Sequence, residues 1–239
     1  TKDNKRTFME DLPRKNRSLA LMNNKGGVTK TTTAFNIAKN FLRDGRTVVC
    51  VDFDQQEQLQ GMLPEITRSD IRDPQDIPDI NSDYVIVDTG PTFTMEHMEL
   101  MDAVDMIIMP IQLESLDVEQ SVKLLKTIKR IGHCPKTKII LIHSGKHTLM
   151  YKNLMPLISN LTEQFGVDVL CEMKKSQAVP QATLQRKTVF EIQSPPEVRN
   201  EFKLLFKEIK KHLNELAPIS NRIKGRGIQG KDGEECQVH

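Results

Sequence analysis

A short apolar run, a loop rich in glycine and lysine, and an amphipathic segment follow one another between residues 18 and 42, and few folds accept that succession. The run "SLALM" (18–22) predicts a strand. The loop "NNKGGVTKTTT" (23–33) comes next. A helix is then predicted from about Thr31, because Ala34, Ile37, Ala38, Phe41 and Leu42 recur at one helical face, and Gly45 falls just past its end. The pattern continues downstream. Strands are predicted at 46–54, 83–91, 105–112, 136–145 and 167–173, and helices at 116–131, 149–165 and 196–216. On the helix over 116–131, Val122, Leu125, Ile128 and Ile131 share a face. Residues 55–82 are polar and proline-containing and show no clear period. Strands apolar on both faces, alternating with helices, predict an α/β fold: a doubly wound, mostly parallel sheet with helices on both sides. Such sheets bind ligands beyond the carboxyl ends of their strands.

The chain of 239 residues predicts one main domain over 18–216, preceded by a flexible basic arm (1–17) and followed by a glycine-rich, polar tail (217–239) expected to be disordered. No stretch approaches the roughly 20 apolar residues of a membrane-spanning helix, and the first residues lack the apolar core of a secretory signal. The expected location is cytoplasmic. The four cysteines, Cys50, Cys134, Cys171 and Cys236, form no C-x-x-C pair, and the six histidines are scattered. Zinc and iron–sulfur sites are not indicated. Cys50 and Cys171 lie in apolar runs and read as small core residues.

A strand, a glycine loop and a helix start together make an anion site. Backbone N–H groups curl around a phosphate, a lysine adds its charge and a hydroxyl holds Mg²⁺. In that scheme Lys30 is the phosphate lysine and Thr31 the Mg²⁺ ligand, while the Thr32 hydroxyl can reach the α-phosphate. "KGGVTKTTT" (25–33) resembles the deviant Walker A box of the ParA/MinD family of partition and positioning ATPases. The resemblance implies an ATP and Mg²⁺ site built from Lys25, Gly26, Gly27, Val28, Thr29, Lys30, Thr31 and Thr32. It makes Lys25 the lysine that reaches a partner's phosphates across an ATP-dependent homodimer, and so a catalytic residue with Lys30. Asp52-Phe53-Asp54 is similar to the family's D-x-D box, which implies that Asp52 stands on the Mg²⁺ side and Asp54 orients the attacking water. "YVIVDTGP" is similar to the Walker B strand, with Asp88 a further Mg²⁺ ligand. ATP rather than GTP rests on the resemblance, since 143–148 and 173–182 match the adenine-side segments only loosely.

Two positions depart from the family pattern. Thr29 stands where the loop normally has glycine, and a β-branched residue held at positive φ costs about 1–3 kcal/mol. Either binding survives with slow hydrolysis, or the loop takes angles threonine tolerates and its hydroxyl joins the phosphate cage. Gln55-Gln56 also replaces the usual Pro-Gln. On the final helix, Phe202, Leu205, Ile209, Leu213 and Leu216 form an apolar face, and Lys203, Lys207, Lys210 and Lys211 form a stripe opposite. The stripe is either a solvated face or a footprint for the DNA backbone, and the resemblance implies non-specific DNA binding. It also implies a partner protein that stimulates hydrolysis, and a nucleoid-associated location. The reading is therefore a ParA-like ATPase that segregates or positions plasmid DNA. The alternatives are a nucleotide-binding scaffold with little turnover and a membrane-associated positioning ATPase.

Overall fold

A computed structural model describes residues 16–27, 29–68 and 70–216. The predicted tail, all but the last two residues of the predicted arm, and Val28 lie outside them. Strand β1 (Arg17–Leu21) leads through the glycine loop into α1 (Lys30–Arg43), then β2 (Val48–Phe53), α2 (Gln58–Met62), β3 (Thr67–Arg68), a 3₁₀ turn (Pro74–Asp79) and β4 (Tyr84–Thr89). After these come α3 (Met95–Ala103), β5 (Met106–Gln112), α4 (Ser115–Arg130), a 3₁₀ turn (Cys134–Lys136), β6 (Thr137–His143), α5 (Leu149–Phe165), β7 (Asp168–Lys174), α6 (Ala178–Leu184) and α7 (Pro196–Glu215). All the expected strands and helices are present. The featureless 55–82 stretch supplies α2, β3 and the first 3₁₀ turn, while α3 and α6 are additions. Strand β1 takes in Arg17, and Asn16 before it is fully buried, its Nδ2 donating to the carbonyls of Ile77 and Ile80 at 2.8 Å each. Asn16 and Arg17 thus pack with the domain expected from 18.

The sheet runs β3-β2-β4-β1-β5-β6-β7, and every pairing is parallel. Side chains on a strand alternate between faces, and the strands use both. Leu19, Leu21, Cys50, Ile86, Ile108 and Ile140 pack with α1 and α7. Ala20, Val51, Val87, Ile107 and Leu141 pack with α3, α4 and α5. Ala34, Phe35, Ile37, Ala38 and Phe41 bury the inner face of α1, at about 1.5–3 kcal/mol for each large side chain. Gly45 ends that helix at φ 74°, its N–H bonded to the Leu42 carbonyl at 3.0 Å. A side chain there would be strained. From β1 the chain crosses to β2 on one side, whereas the connection out of β4 crosses to β5 on the other. The carboxyl end of β1 is therefore the point where the sheet's connections diverge, and a crevice opens there.

On α7 the inner face is Val198, Phe202, Leu205, Phe206, Ile209 and Leu213. Lys203, Lys207 and Lys211 are exposed as expected. Lys210 departs from the stripe. It is half-buried, pairs with Asp44 beyond the end of α1, and sits 5.9 Å over the Phe41 ring. Its stem packs on the body of the protein and its charge is already answered.

Candidate functional site

A cleft of about 540 Å³ opens at that divergence point. Lys25, Gly26, Gly27, Thr29, Lys30, Thr31 and Thr32 line one wall, with Asp54 and Pro91 beside them. The loop can curl because Gly27 holds φ 75°, and a Cβ on either Gly26 or Gly27 would meet nothing within 4 Å. Both glycines thus face open space, as a cradle for an anion requires. The first N–H groups of α1 are unpaired by helix geometry and point to the same place.

Lys30 is buried, and its Nζ donates to the Lys25 carbonyl at 3.1 Å. Burial lowers its pKa, opposed by the charges of Asp88, Asp54 and Asp117. Asp88, at the end of β4, is completely buried, and neither carboxylate oxygen has a hydrogen-bond partner among the described residues. Burial pushes its carboxyl up to about 7, against the nearby Thr31 hydroxyl and the Lys30 charge, which pull it down. A buried carboxylate without a partner is costly, and a divalent cation would answer it.

Asp52 is placed differently. Its oxygens accept the backbone N–H groups of Asp54 at 3.0 Å and Gln60 at 3.1 Å. Burial still raises its pKa, and those hydrogen bonds oppose the rise. It shapes the loop from β2 into α2. Asp54 faces the cleft beside Gly90, where an added Cβ would lie 3.5 Å from Asp54 Oδ1. No group of three or more His, Cys, Asp or Glu gathers as a metal cage among the described residues. The residues present fit Mg²⁺ held mainly by phosphate, water, Thr31 and Asp88, the sparse protein coordination this ion prefers.

Thr29 takes the left-handed conformation, φ 63° and ψ 18°, which glycine would take without strain. Its Oγ1 is buried and has no hydrogen-bond partner among the described residues. The loop has kept its glycine-type backbone and the threonine has adapted to it.

Sequence reasoning missed one further wall and matched another only loosely. Gln112 and Glu114, at the β5–α4 junction, line the cleft, and Gln112 Nε2 donates to the Gly27 carbonyl at 3.0 Å. On the far side, Ile142, Met173, Val179, Pro180 and Phe202 make an apolar end, with Lys174, Lys175, Ser176 and Gln177 lining the cleft beside it. The 173–182 segment therefore reaches the cleft. The 143–148 segment turns away from it, with Lys146 paired to Glu172 at 2.8 Å. No short motif marks these walls. The proline in "AVPQA" and the apolar–polar switch after β7 are the only hints.

A parallel sheet with this loop at the end of β1 and acids ending β2 and β4 defines a P-loop nucleotide-binding protein. The CobQ/CobB/MinD/ParA nucleotide binding domain matches residues 19–189, and the chain belongs to that family. It is 27% identical over 193 residues to the maintenance of carboxysome distribution protein A of Halothiobacillus neapolitanus, across 73% of this chain and 87% of the relative. To the chromosome-partitioning ATPase Soj of Thermus thermophilus it is 26% identical, across 52% and 67%. Among solved structures, a putative plasmid partition protein of Borrelia burgdorferi bound to AMPPNP aligns with TM-score 0.63 at 14% identity, over 82% of this chain and 99% of that one. An ATP complex of McdA from Cyanothece aligns at 0.65 and 16%, over 85% and 99%. The family is one of ATPases with partition and positioning members, and the seven-stranded parallel fold is theirs. No helix among the described residues is long and apolar enough to cross a membrane.

Proposed function

We propose that this chain is a ParA-type ATPase that pairs on ATP, binds DNA without sequence preference, and segregates or positions a cargo such as plasmid DNA. Hydrolysis, stimulated by a partner protein, resets it. The observation that carries the reading is Asp88: a wholly buried carboxylate with no aligned hydrogen bond among the described residues, with the Thr31 hydroxyl and the Lys30 charge beside it, at a glycine cradle. A magnesium-bound triphosphate would satisfy that carboxylate, the buried lysine and the unpaired helix N–H groups together. When bound, the metal would neutralise phosphate charge, and phosphoryl transfer asks little beyond positioning and charge.

The chain's own residues then divide the work. Gly26, Gly27 and the start of α1 bind the phosphates. With nucleotide bound, Lys30 would hold the β/γ oxygens, Thr31 and Asp88 would hold the cation, and Asp54 would orient the attacking water. Asp52 keeps the Asp54 loop in shape. Lys25, with its side chain 29% exposed at the mouth of the cleft, serves the partner subunit's phosphates. The names of the relatives, concerned with carboxysome distribution, chromosome partitioning and plasmid partition, support a positioning role. Exposed Lys203, Lys207 and Lys211 supply a DNA-backbone surface, which would place the protein on the nucleoid.

Light scattering after size exclusion tests the core of this reading. A dimer is expected with ATP or a non-hydrolysable analogue, a monomer with ADP, and a monomer in every nucleotide for Lys25→Ala. A natural chain that stays monomeric with all three nucleotides removes it.

One observation favours a second reading, a nucleotide-sensing scaffold with little turnover: Thr29 at φ 63° in the phosphate loop. Phosphate release with DNA present separates the two. Slow but measurable release supports the ATPase, and activity that appears only in Thr29→Gly supports the scaffold.

A further inference from the structure

Lys25 has two acidic neighbours, and they are unlike. Its ammonium lies 3.1 Å from Asp117 Oδ1 and 3.6 Å from Glu114 Oε2. The Glu114 side chain is 48% exposed, whereas that of Asp117 is 0% exposed. Asp117 Oδ2 accepts the Gln112 backbone N–H at 3.3 Å. Its Oδ1 has no aligned hydrogen bond among the described residues. Lys25 is therefore the near charge that answers it, with Lys30 acting at longer range. Solvent screens Glu114, but nothing screens Asp117.

The same junction grips the loop elsewhere. Gln112 Nε2 donates to the Gly27 carbonyl at 3.0 Å. Lys175, on the opposite rim, reaches Gln112 Oε1 and Glu114 Oε1 at 3.5 Å each. The start of α4 thus ties down both the glycine loop and the lysine before it. Removing one member of a buried pair strands the other charge away from water, and that penalty far exceeds the loss of an exposed pair.

We infer that Asp117 is a positioning residue for Lys25: it holds the ammonium over its own loop and sets the threshold at which the lysine is released to a second subunit. This rests on the reading of Lys25 given above. Release strands Asp117, so it proceeds only where the partner's phosphates attract the ammonium more strongly than this carboxylate does. A triphosphate carries more charge than a diphosphate, so the buried pair sharpens the discrimination between them. The contact is an ion pair without a directed hydrogen bond, which suits a hold meant to be broken.

The test is the protein concentration at which half the chain is dimeric, measured by sedimentation velocity in ADP and in a non-hydrolysable ATP analogue. Asp117→Asn keeps the shape and removes the charge. It is expected to lower the threshold about tenfold with the analogue, and to allow some dimer in ADP. The affinity for fluorescent ADP is followed alongside, because a collapsed loop would lower it. The double variant Lys25→Ala/Asp117→Asn is expected to stay monomeric. An unchanged threshold in Asp117→Asn overturns the inference, as does a double variant that dimerises. If Asp117→Asn does not fold, Glu114→Gln tests the weaker half of the same hold: a two- to threefold lower threshold is expected, and no change overturns it. A natural chain that dimerises while Asp117→Asn behaves identically sinks this inference alone. If both stay monomeric at high concentration, the proposed function falls with it. If only Asp117→Asn dimerises, the natural chain does not pair on nucleotide, and the inference falls together with the proposed function.

Discussion

Thr29 and Asp88 each carry an unmet cost near the cleft. Thr29 adopts the left-handed region with a buried, unpartnered hydroxyl. The backbone strain is about 1–2 kcal/mol, and an unsatisfied hydroxyl adds about 1 kcal/mol or more. Thr29→Gly removes both and gives back about 1 kcal/mol of chain entropy. The expected net gain in unfolding free energy without nucleotide is about 1–2 kcal/mol, measured in urea; a loss would show that the threonine is well accommodated. Asp88 has its carboxyl raised from 3.8 to about 7. A carboxyl raised in the folded state binds protons that the unfolded chain has released, so its ionisation lowers stability as pH rises from about 4 to about 7, and the penalty is full above that. Asp88→Asn is therefore expected to stabilise the nucleotide-free protein by up to about 4 kcal/mol at pH 8 and to have almost no effect near pH 4. The same variant loses magnesium-dependent nucleotide binding. In the natural chain that binding weakens below about pH 7, as titration calorimetry at pH 6 and pH 8 would show.

At the scale of elements, α7 has two jobs that a helical wheel cannot tell apart. Its apolar face closes one side of the sheet, and its outer face carries lysines. Lys210 lies between the two and belongs to the first job, because its charge meets Asp44 and sits over the Phe41 ring. Each exposed lysine that neutralises one phosphate steepens the salt dependence of DNA affinity by about 0.9 in log–log slope. Replacing Lys203, Lys207 and Lys211 together by alanine should flatten that slope by roughly 2–3. Lys210→Ala should leave it unchanged. A slope that Lys210→Ala flattens as much as any of the others would mean the ion pair with Asp44 opens on DNA. The helix α4 is comparable, since its buried face continues at its start into the residues that hold Lys25 and Gly27.

For the whole molecule, the order of strands decides where chemistry can occur. Parallel strands with crossovers on both faces place every strand-to-helix turn at one edge, so loops distant in sequence become neighbours. Residues 25–32, 52–54, 88–91, 112–117 and 173–180 meet at that edge although they span most of the domain. The sequence was most legible where one segment carries its own signal. The loop at 25–33 needs only its glycines and lysines, and α1 needs only its periodicity. The short α3 and α6 were not legible. Nine residues whose apolar positions do not gather on one face, and seven with Pro180 inside them, give too little period to read. The 55–82 stretch hid α2 and β3 for a similar reason: a five-residue helix and a two-residue strand are stabilised by what they pack against, and propensity alone would not form them.

By itself, the sequence determined the parallel α/β class, the phosphate loop with its two lysines, and the acids that end β2 and β4, because each depends on neighbours a few residues away. Tertiary structure alone decided that Asp88 has no aligned hydrogen bond among the described residues while Asp52 is bound by its own loop, that Lys210 folds back onto Asp44, and that Asp117 lies buried beneath Lys25. Burial and pairing depend on which elements the sheet brings together, and no local pattern of residues encodes that.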